Sequence, residues 1–265
     1  YELDKAARPI GAFIDDLSTW YLRRSRERIK SDVLEEKEEA LGTLRFVLLE
    51  LSKVMAPFTP FFAEYLFLQV NGQWSIVNGS QSVHLENWPF IDSRFKIQDS
   101  STLTDMEEVR KIVSLALEAR ARANVKVRQP LASLFVKDKG LRIKDSVPLL
   151  DLIKDEVNVK AVSFDSARSQ EVALDTALTP ELIDEGQFRE LLRMVQETRK
   201  KMGFKPGEFA DLMVKAEGAS RRFVEQHGRK LMEVATLRGI SFADTVEGET
   251  FQAGEIVLVL ALVKS

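Results

Sequence analysis

Between Trp20 and Lys30 the chain reads WYLRRSRERIK, with five basic groups, Arg23, Arg24, Arg26, Arg28 and Lys30, against one acid, Glu27. On a helix advancing about 100° per residue, Arg23, Arg26 and Lys30 fall within about 60° of one another, opposite an apolar stripe of Phe13, Leu17 and Tyr21. Three cations on one ridge suit the phosphate backbone of a nucleic acid. Arg24 and Arg28 continue the apolar stripe instead, and are expected to leave the core or rest half-buried against carboxylates. A single basic ridge is ordinarily a solvated helix face. A second cluster shifts that balance. Residues 119–130, ARARANVKVRQP, carry Arg120, Arg122, Lys126 and Arg128 and no acid. A helix ending there favours cations through its dipole by about 0.3–1 kcal/mol each. Lys126 and Arg128 lie past that end, in an extended segment where alternation points both the same way. Two acid-poor clusters in a chain of net charge −3 point to a polarised surface made for a polyanion.

A third ridge lies in residues 180–202, where Phe188, Leu191, Leu192, Val195 and Met202 form an apolar stripe and Arg189, Arg193, Gln196 and Lys200 a separate polar line. Packing on a sheet accounts for the stripe and leaves the polar line open. Catalytic signatures are missing. The sequence has no cysteine, no G-x-x-x-x-G-K-[ST] or G-x-G-x-x-G loop, and only two histidines, His84 and His227, with neither a second histidine nor a cysteine near either. Both histidines read as structural or solvated, and the carboxylates Glu35, Glu36, Glu38 and Glu39 read as a solvated helical face. Trp20, Trp74 and Trp88 could stack on bases, but core or cover roles are commoner. No active site is legible.

The elements that must position these clusters follow from periodicity. The 265 residues, 45% hydrophobic and 30% charged, make a globular chain of about two domains. Helices are predicted along the Ile10, Phe13, Ile14, Leu17, Trp20, Tyr21 face, over 33–54, over 61–70 with Thr59 and Pro60 at its start, and over 105–123. Asn71-Gly72 and Asn78-Gly79-Ser80 signal turns. After Pro130 the pattern changes to strands at 131–137, 157–164, 171–175, 209–215, 241–243 and 256–263, with helices at 147–155, 180–202 and 219–236. The fold class is therefore α followed by α+β: a helical bundle, residues 1–130, then a small mixed α+β domain, residues 131–265. No internal repeat is legible. Ile256–Val263 is apolar at both alternating sets and reads as a strand buried on both faces; eight residues are too few to span a bilayer. The opening YELD has no signal-peptide character, so the chain is expected to be cytoplasmic, without membrane partners, and excised from something larger.

Several stretches together resemble isoleucyl-tRNA synthetases of class I. DDLSTWYLRRSR at 15–26 is similar to the L-S-x-W-Y-[IV]-R-R-x-R stretch of their anticodon-binding domain. APFTPF at 56–61 with Glu64 resembles A-P-F-T-P-F-x-x-E, and SVHL at 82–85 followed by Trp88-Pro89 resembles S-V-H-L-x-x-W-P. VKVRQPL at 125–131, NVK at 158–160, and Glu185-Gly186 through Arg189-Glu190 to Gln196 and Arg199-Lys200 occur in the family's order. The match covers about residues 1–205. A-P-F-T-P-F is shared with valyl enzymes, while S-V-H-L and K-V-R-Q-P-L tilt the choice to isoleucyl.

The resemblance implies an anticodon-binding domain and following α+β region that bind an isoleucine-accepting tRNA. Catalytic and editing domains would lie N-terminal to Tyr1. The H-I-G-H and K-M-S-K-S signatures of the catalytic domain are not in this sequence, so ATP and Mg²⁺ belong to the full-length ligase and this portion is expected to be inactive alone. Without cysteine it cannot contain the zinc module that ends some relatives. Residues and resemblance together nominate Arg23, Arg26, Lys30, Arg120, Arg122, Lys126 and Arg128 for RNA, and no residue for catalysis or metal. The alternatives are the equivalent region of a valyl enzyme and a helical protein-interaction scaffold.

Overall fold

The computed structural model describes residues 2–72, 82–89, 101–205 and 207–264, in two compact units, Tyr1–Lys96 and Ile97–Ser265. The first unit is helical: α1 (Leu3–Asp16), a π-helical turn (Leu17–Leu22), α2 (Arg26–Lys30), α3 (Leu34–Met55), α4 (Pro60–Asn71) and a 3-10 turn (Val83–Leu85). Pro60 opens α4 at its first position, where its missing N–H costs nothing, and Gly72 ends it at φ +74°, a left-handed conformation open to glycine. Trp74 and the Asn78-Gly79-Ser80 signal lie outside the described residues.

The long helix expected through Lys30 is interrupted. The π-helical turn winds more residues per turn than an α-helix, so the phase calculated from Phe13 does not carry through to Arg23 and beyond. The Tyr21 hydroxyl, at the end of that stretch, donates to the Ala40 carbonyl (3.1 Å) and ties it to α3. α1 itself buries no residue, and Phe13 is 45% exposed. The core of the unit sits instead where α3 ends and α4 begins, with Leu51, Met55, Ala56, Ala63, Phe67 and Val83 packed together. Glu64 on α4 fastens the downstream segment to this core. One of its carboxylate oxygens accepts from the Val83 N–H (2.9 Å) and the Ser82 hydroxyl (3.0 Å).

The second unit contains two sheets. The first, in order β2 (Val159–Asp165), β1 (Leu131–Lys137), β3 (Val172–Leu174), is parallel between β1 and β2 and antiparallel between β1 and β3. The second runs β5 (Leu237–Phe242), β4 (Ala210–Lys215), β7 (Ile256–Lys264), β6 (Glu249–Ala253), with β4 parallel to β5. Helices α5 (Ser101–Arg122) and α6 (Val147–Val157) accompany the first sheet, α7 (Pro180–Lys201) and α8 (Gly218–Ala235) the second. The compact units divide at 96/97, so that α5 is grouped with the strands that follow it, while the sequence-based division at 130/131 marks the change from helical to strand periodicity. Periodicity shows that α5 has a stripe, but not which neighbour covers it; here Val109, Ile112, Val113 and Ala116 are buried within the second unit.

A repeat that the sequence does not advertise emerges at this level. α5 and α7 are both 22 residues long and lie 79 positions apart, from 101 to 180 and from 122 to 201. At that offset the buried positions coincide: Val109 with Phe188, Ile112 with Leu191, Ala116 with Val195 and Arg120 with Arg199. Each helix leads into a strand (β1 or β4), a helix (α6 or α8) and a parallel strand (β2 or β5), and the central strand pairs antiparallel on its other edge. The identities are few, chiefly Leu103/Leu182, Asp105/Asp184, Arg110/Arg189, Glu118/Glu197 and Arg120/Arg199. They are too sparse to notice without the matching burial.

Three strands differ from expectation. β5 starts at Leu237, four residues before the predicted 241–243. β7 alternates, with Ile256, Leu258, Leu260 and Leu262 in the core and Val257 48% exposed, so only one of its faces is buried. β6 lies where no strand is predicted. It is a five-residue edge strand joined to β7 by a two-residue turn at Gly254 (φ +58°), and it sends Phe251 into the core. Replacing Glu64 by Ala should destabilise the first unit by about 1.5–3 kcal/mol, the usual weight of hydrogen bonds to a charged group. Urea unfolding followed by Trp20 and Trp88 fluorescence measures it, and an unchanged midpoint would show that the Ser82–Val83 attachment carries no stability.

Candidate nucleic-acid interface

The seven nominated cations separate into distinct environments. Arg120 is removed from the surface: it is fully buried at the end of α5. Its Nη1 donates to the carbonyls of Lys126 (3.0 Å) and Gln129 (2.9 Å), and its Nη2 to that of Asn158 (2.8 Å). Burial lowers its pKa to about 10, which leaves it charged at neutral pH. The RNA role expected for Arg120 is therefore corrected. A basic residue in a helix's last turn has two uses, dipole partner or carbonyl-gathering fork, and sequence spacing does not distinguish them.

Arg122, Lys126 and Arg128 stay exposed around it. The segment holds no acid of its own, yet folding brings two carboxylates to it. Glu118 stands 3.7 Å from Arg122, one helical turn away. Glu190 on α7 lies 4.0 Å from Lys126 Nζ and 3.7 Å from Arg128 Nη1. Glu190 also accepts from Arg193 Nε (3.1 Å). The carboxylate is nearly buried while the Lys126 side chain is 78% exposed, so the cations are anchored on one side and open to solvent on the other.

The anchor is part of a larger joint between the halves of the second unit. Gln129 Nε2 donates to the Leu182 carbonyl (2.6 Å), and the Gln129 side chain occupies the space where a Cβ on Gly186 would stand. Asn158, in the left-handed region at φ 56°, donates to the Val127 carbonyl (2.7 Å) and accepts from Arg189 (2.6 Å). Lys160 and Arg189 both bind Glu185; burial alone would push that carboxyl up, but the two cations hold it below the usual carboxylate range. The motif segments 125–131, 158–160 and 185–190 thus meet at one place. Of the α7 polar line, Gln196 is used structurally, donating to the Val234 carbonyl (3.2 Å), while Lys200 is exposed.

In the first unit, Arg26 and Lys30 are exposed, and no described residue is paired with either. Arg23 is exposed too, with its Nε on the Thr19 carbonyl (2.8 Å). Arg28 does rest against a carboxylate, Glu39 (3.1 Å). The two histidines stand in different environments. His84 is exposed, while His227 contacts Asp184 (2.9 Å) between the rings of Phe188 and Phe223. No group of three metal-ligating side chains occurs among the described residues, and no helix there is long and apolar enough to cross a membrane. Arg199, which sequence reasoning treats only as part of a motif, repeats the Arg120 arrangement, buried with its guanidinium on the carbonyls of Thr236 (3.2 Å) and Glu208.

The anticodon-binding domain of tRNA ligases matches residues 1–136. The chain is 28% identical to isoleucine–tRNA ligase 2 of Bacillus cereus over 99% of its own length and 32% of that protein. It is 34% identical to the isoleucine–tRNA ligase of Dehalococcoides mccartyi over 86% of its length and 24% of the relative. Against the Clostridium kluyveri isoleucine–tRNA ligase the figures are 38%, 65% and 16%. The chain thus spans about a third or less of the relatives it matches. The matched segment ends inside β1 and takes in α5, so the boundary in sequence and the boundary in packing fall at different places.

Replacing Arg120 by Met removes three hydrogen bonds from a charged donor and leaves the Gln129 carbonyl without its partner, and should cost the second unit about 3 kcal/mol or more. Arg122→Met should change stability by no more than about 0.5 kcal/mol. Chemical denaturation of the two variants compares them, and equal losses would contradict the distinction.

Proposed function

The chain belongs to the anticodon-binding-domain family of tRNA ligases, and from that premise we propose that it is the RNA-binding portion of an isoleucine–tRNA ligase. One observation carries the reading to particular residues: exposed cations at Arg23, Arg26 and Lys30 in the first unit, and at Arg122, Lys126 and Arg128 in the second. Their role is to neutralise backbone phosphates of the anticodon stem-loop, fixing the register in which unpaired bases are read by stacking and edge hydrogen bonds. Helices suit this task because they hold long side chains at fixed spacing on a rigid support. The isoleucine specificity is supported by the relatives named above, which are isoleucine–tRNA ligases.

In this reading ATP-dependent aminoacylation belongs to parts of the ligase outside these 265 residues, together with the ATP and Mg²⁺ it uses. The relatives are three or more times as long, and the sequence carries neither H-I-G-H nor K-M-S-K-S. The working compartment is the cytoplasm, where tRNA charging takes place. A scaffold role receives separate support from exposed apolar side chains in the first unit, among them Phe61, Tyr65, Leu85 and Trp88, which suit a protein partner better than a phosphate backbone.

The Arg23/Arg26/Lys30 triple alanine variant should bind isoleucine-accepting tRNA more weakly. Its slope of log affinity against log salt should fall by about one unit for each phosphate that is no longer neutralised. Filter binding across a salt series reads this, and an unaltered slope would remove the segment from the interface. The chain alone should give no isoleucine-dependent ATP–pyrophosphate exchange; turnover above a blank would place catalysis within it.

A further inference from the structure

The repeat in the second unit has consequences for the surface as well as the core. Beyond the 79-residue offset of the helices, their ends are built alike. The Val125 N–H donates to the Arg120 carbonyl (3.0 Å) and the Phe204 N–H to the Arg199 carbonyl (3.1 Å). Asn124 and Gly203 hold the same left-handed position, at φ 54° and 71°. The buried guanidinium in each half reaches the carbonyl two residues before the central strand, Gln129 or Glu208, and the carbonyl of the left-handed residue before the parallel strand, Asn158 or Thr236. Arg122 therefore corresponds to Lys201, and Lys126 to Lys205, with Lys200 an additional cation. All three lysines are exposed.

We propose that the turn after α7, with Lys200, Lys201 and Lys205, is a second phosphate-binding site for the same RNA, equivalent to the Arg122, Lys126 and Arg128 turn after α5; the inference rests on the RNA-binding reading above. The two turns lie along one helix. Lys126 and Arg128 stand over Glu190, and Lys201 follows Glu190 by eleven residues, which returns it to within about 20° of the same face and places it about 16 Å further along the axis. That separation is on the order of a few nucleotides, so one RNA backbone could engage both turns. Each turn also uses one carboxylate as an anchor, Glu190 in the first and, in the second, Glu249, which binds Lys201 and accepts from Thr198 (3.1 Å). Arg193, lying between them on α7, continues the line of cations. Of the α7 polar line, Arg189 and Gln196 serve internal contacts, which leaves Arg193 and Lys200 to accompany the two basic turns.

The test uses the full chain and an isoleucine-accepting tRNA transcript, titrated from low to high salt. Three charge-reversal variants are compared: Arg122→Glu/Arg128→Glu, Lys200→Glu/Lys205→Glu, and all four together. Circular dichroism and urea midpoints confirm that each is folded; if a reversal variant unfolds, the corresponding alanine pair replaces it. The inference expects each pair to lower the salt slope by between about one and two units, and the combination by about their sum. A normal slope for the Lys200/Lys205 pair, alongside a lowered slope for the Arg122/Arg128 pair, would overturn the second site and leave the RNA-binding reading standing. Normal slopes for both pairs would remove RNA from the whole second unit, and a wild-type chain that binds no tRNA would overturn both readings together.

Discussion

The second unit is organised around a buried guanidinium whose hydrogen-bond partners are backbone carbonyls. Arg120 takes the carbonyl of Lys126 in the turn after α5, that of Gln129 before β1 and that of Asn158 before β2. A helix end, a loop and the crossover into a parallel strand are thereby fixed by one planar fork. Lysine has the charge but not the geometry to reach three divergent acceptors at once. Desolvating a cation is costly, and the lowered pKa expresses that cost. The compensation is local: the Gln129 carbonyl obtains a charged donor, and the Lys126 and Asn158 carbonyls, which also accept from the Gln129 and Leu131 N–H groups, obtain a second one. Arg199 meets the same requirement in the other half, where Thr236 holds a left-handed conformation uncommon for a β-branched residue. The same solution thus serves both α-β-α-β halves of the unit.

How much of this is legible in the sequence depends on the length scale of the signal. Helices and strands with a full apolar stripe are readable to within a few residues, as at α3, α6, α7 and β1. What fails is information about partners. The stripe of α5 is evident, but its packing within the second unit is a tertiary fact that periodicity does not carry. Periodicity also assumes one helical pitch, so the π-helical turn at Leu17–Leu22 is invisible to it and the phase relation between Phe13 and Arg23 does not survive. The five residues of β6 are too few and too polar to register as a strand.

The basic clusters illustrate the same limit in electrostatic form. Counting acids along residues 119–130 gives none, and that count describes the segment correctly. Folding then supplies Glu190 from a helix 60 residues downstream, together with Arg193, and converts an apparent run of like charge into an ion-paired network with an exposed side. The motif residues follow a parallel course. Gln129, Asn158, Glu185 and Gly186 are motif residues that occur in the order of an RNA-binding family. In the structure they form the joint between the halves, with Gly186 present because Gln129 occupies the space where its side chain would be. A motif can mark a family through its architecture while the residues that touch the ligand stand beside it.

That distinction also explains how the proposed interface could be both positioned and responsive. A lysine or arginine on a bare helix must lose much of its rotamer freedom when it grips a phosphate. Arg128 and Arg193 are already held near Glu190, so part of that ordering is accomplished when the chain folds. The anchor also lowers the local positive potential, which reduces the electrostatic gain from each phosphate bound. Pinning and neutralisation therefore oppose one another, and the exposed remainder of each side chain sets the balance. Lys126, mostly in solvent and 4.0 Å from the carboxylate, keeps more of its charge for a partner than Arg193, which is held by Glu190 and Glu197 together. Within one network, then, the chemistry of RNA binding should belong to the turn residues, and the helix residues should set where those turns stand.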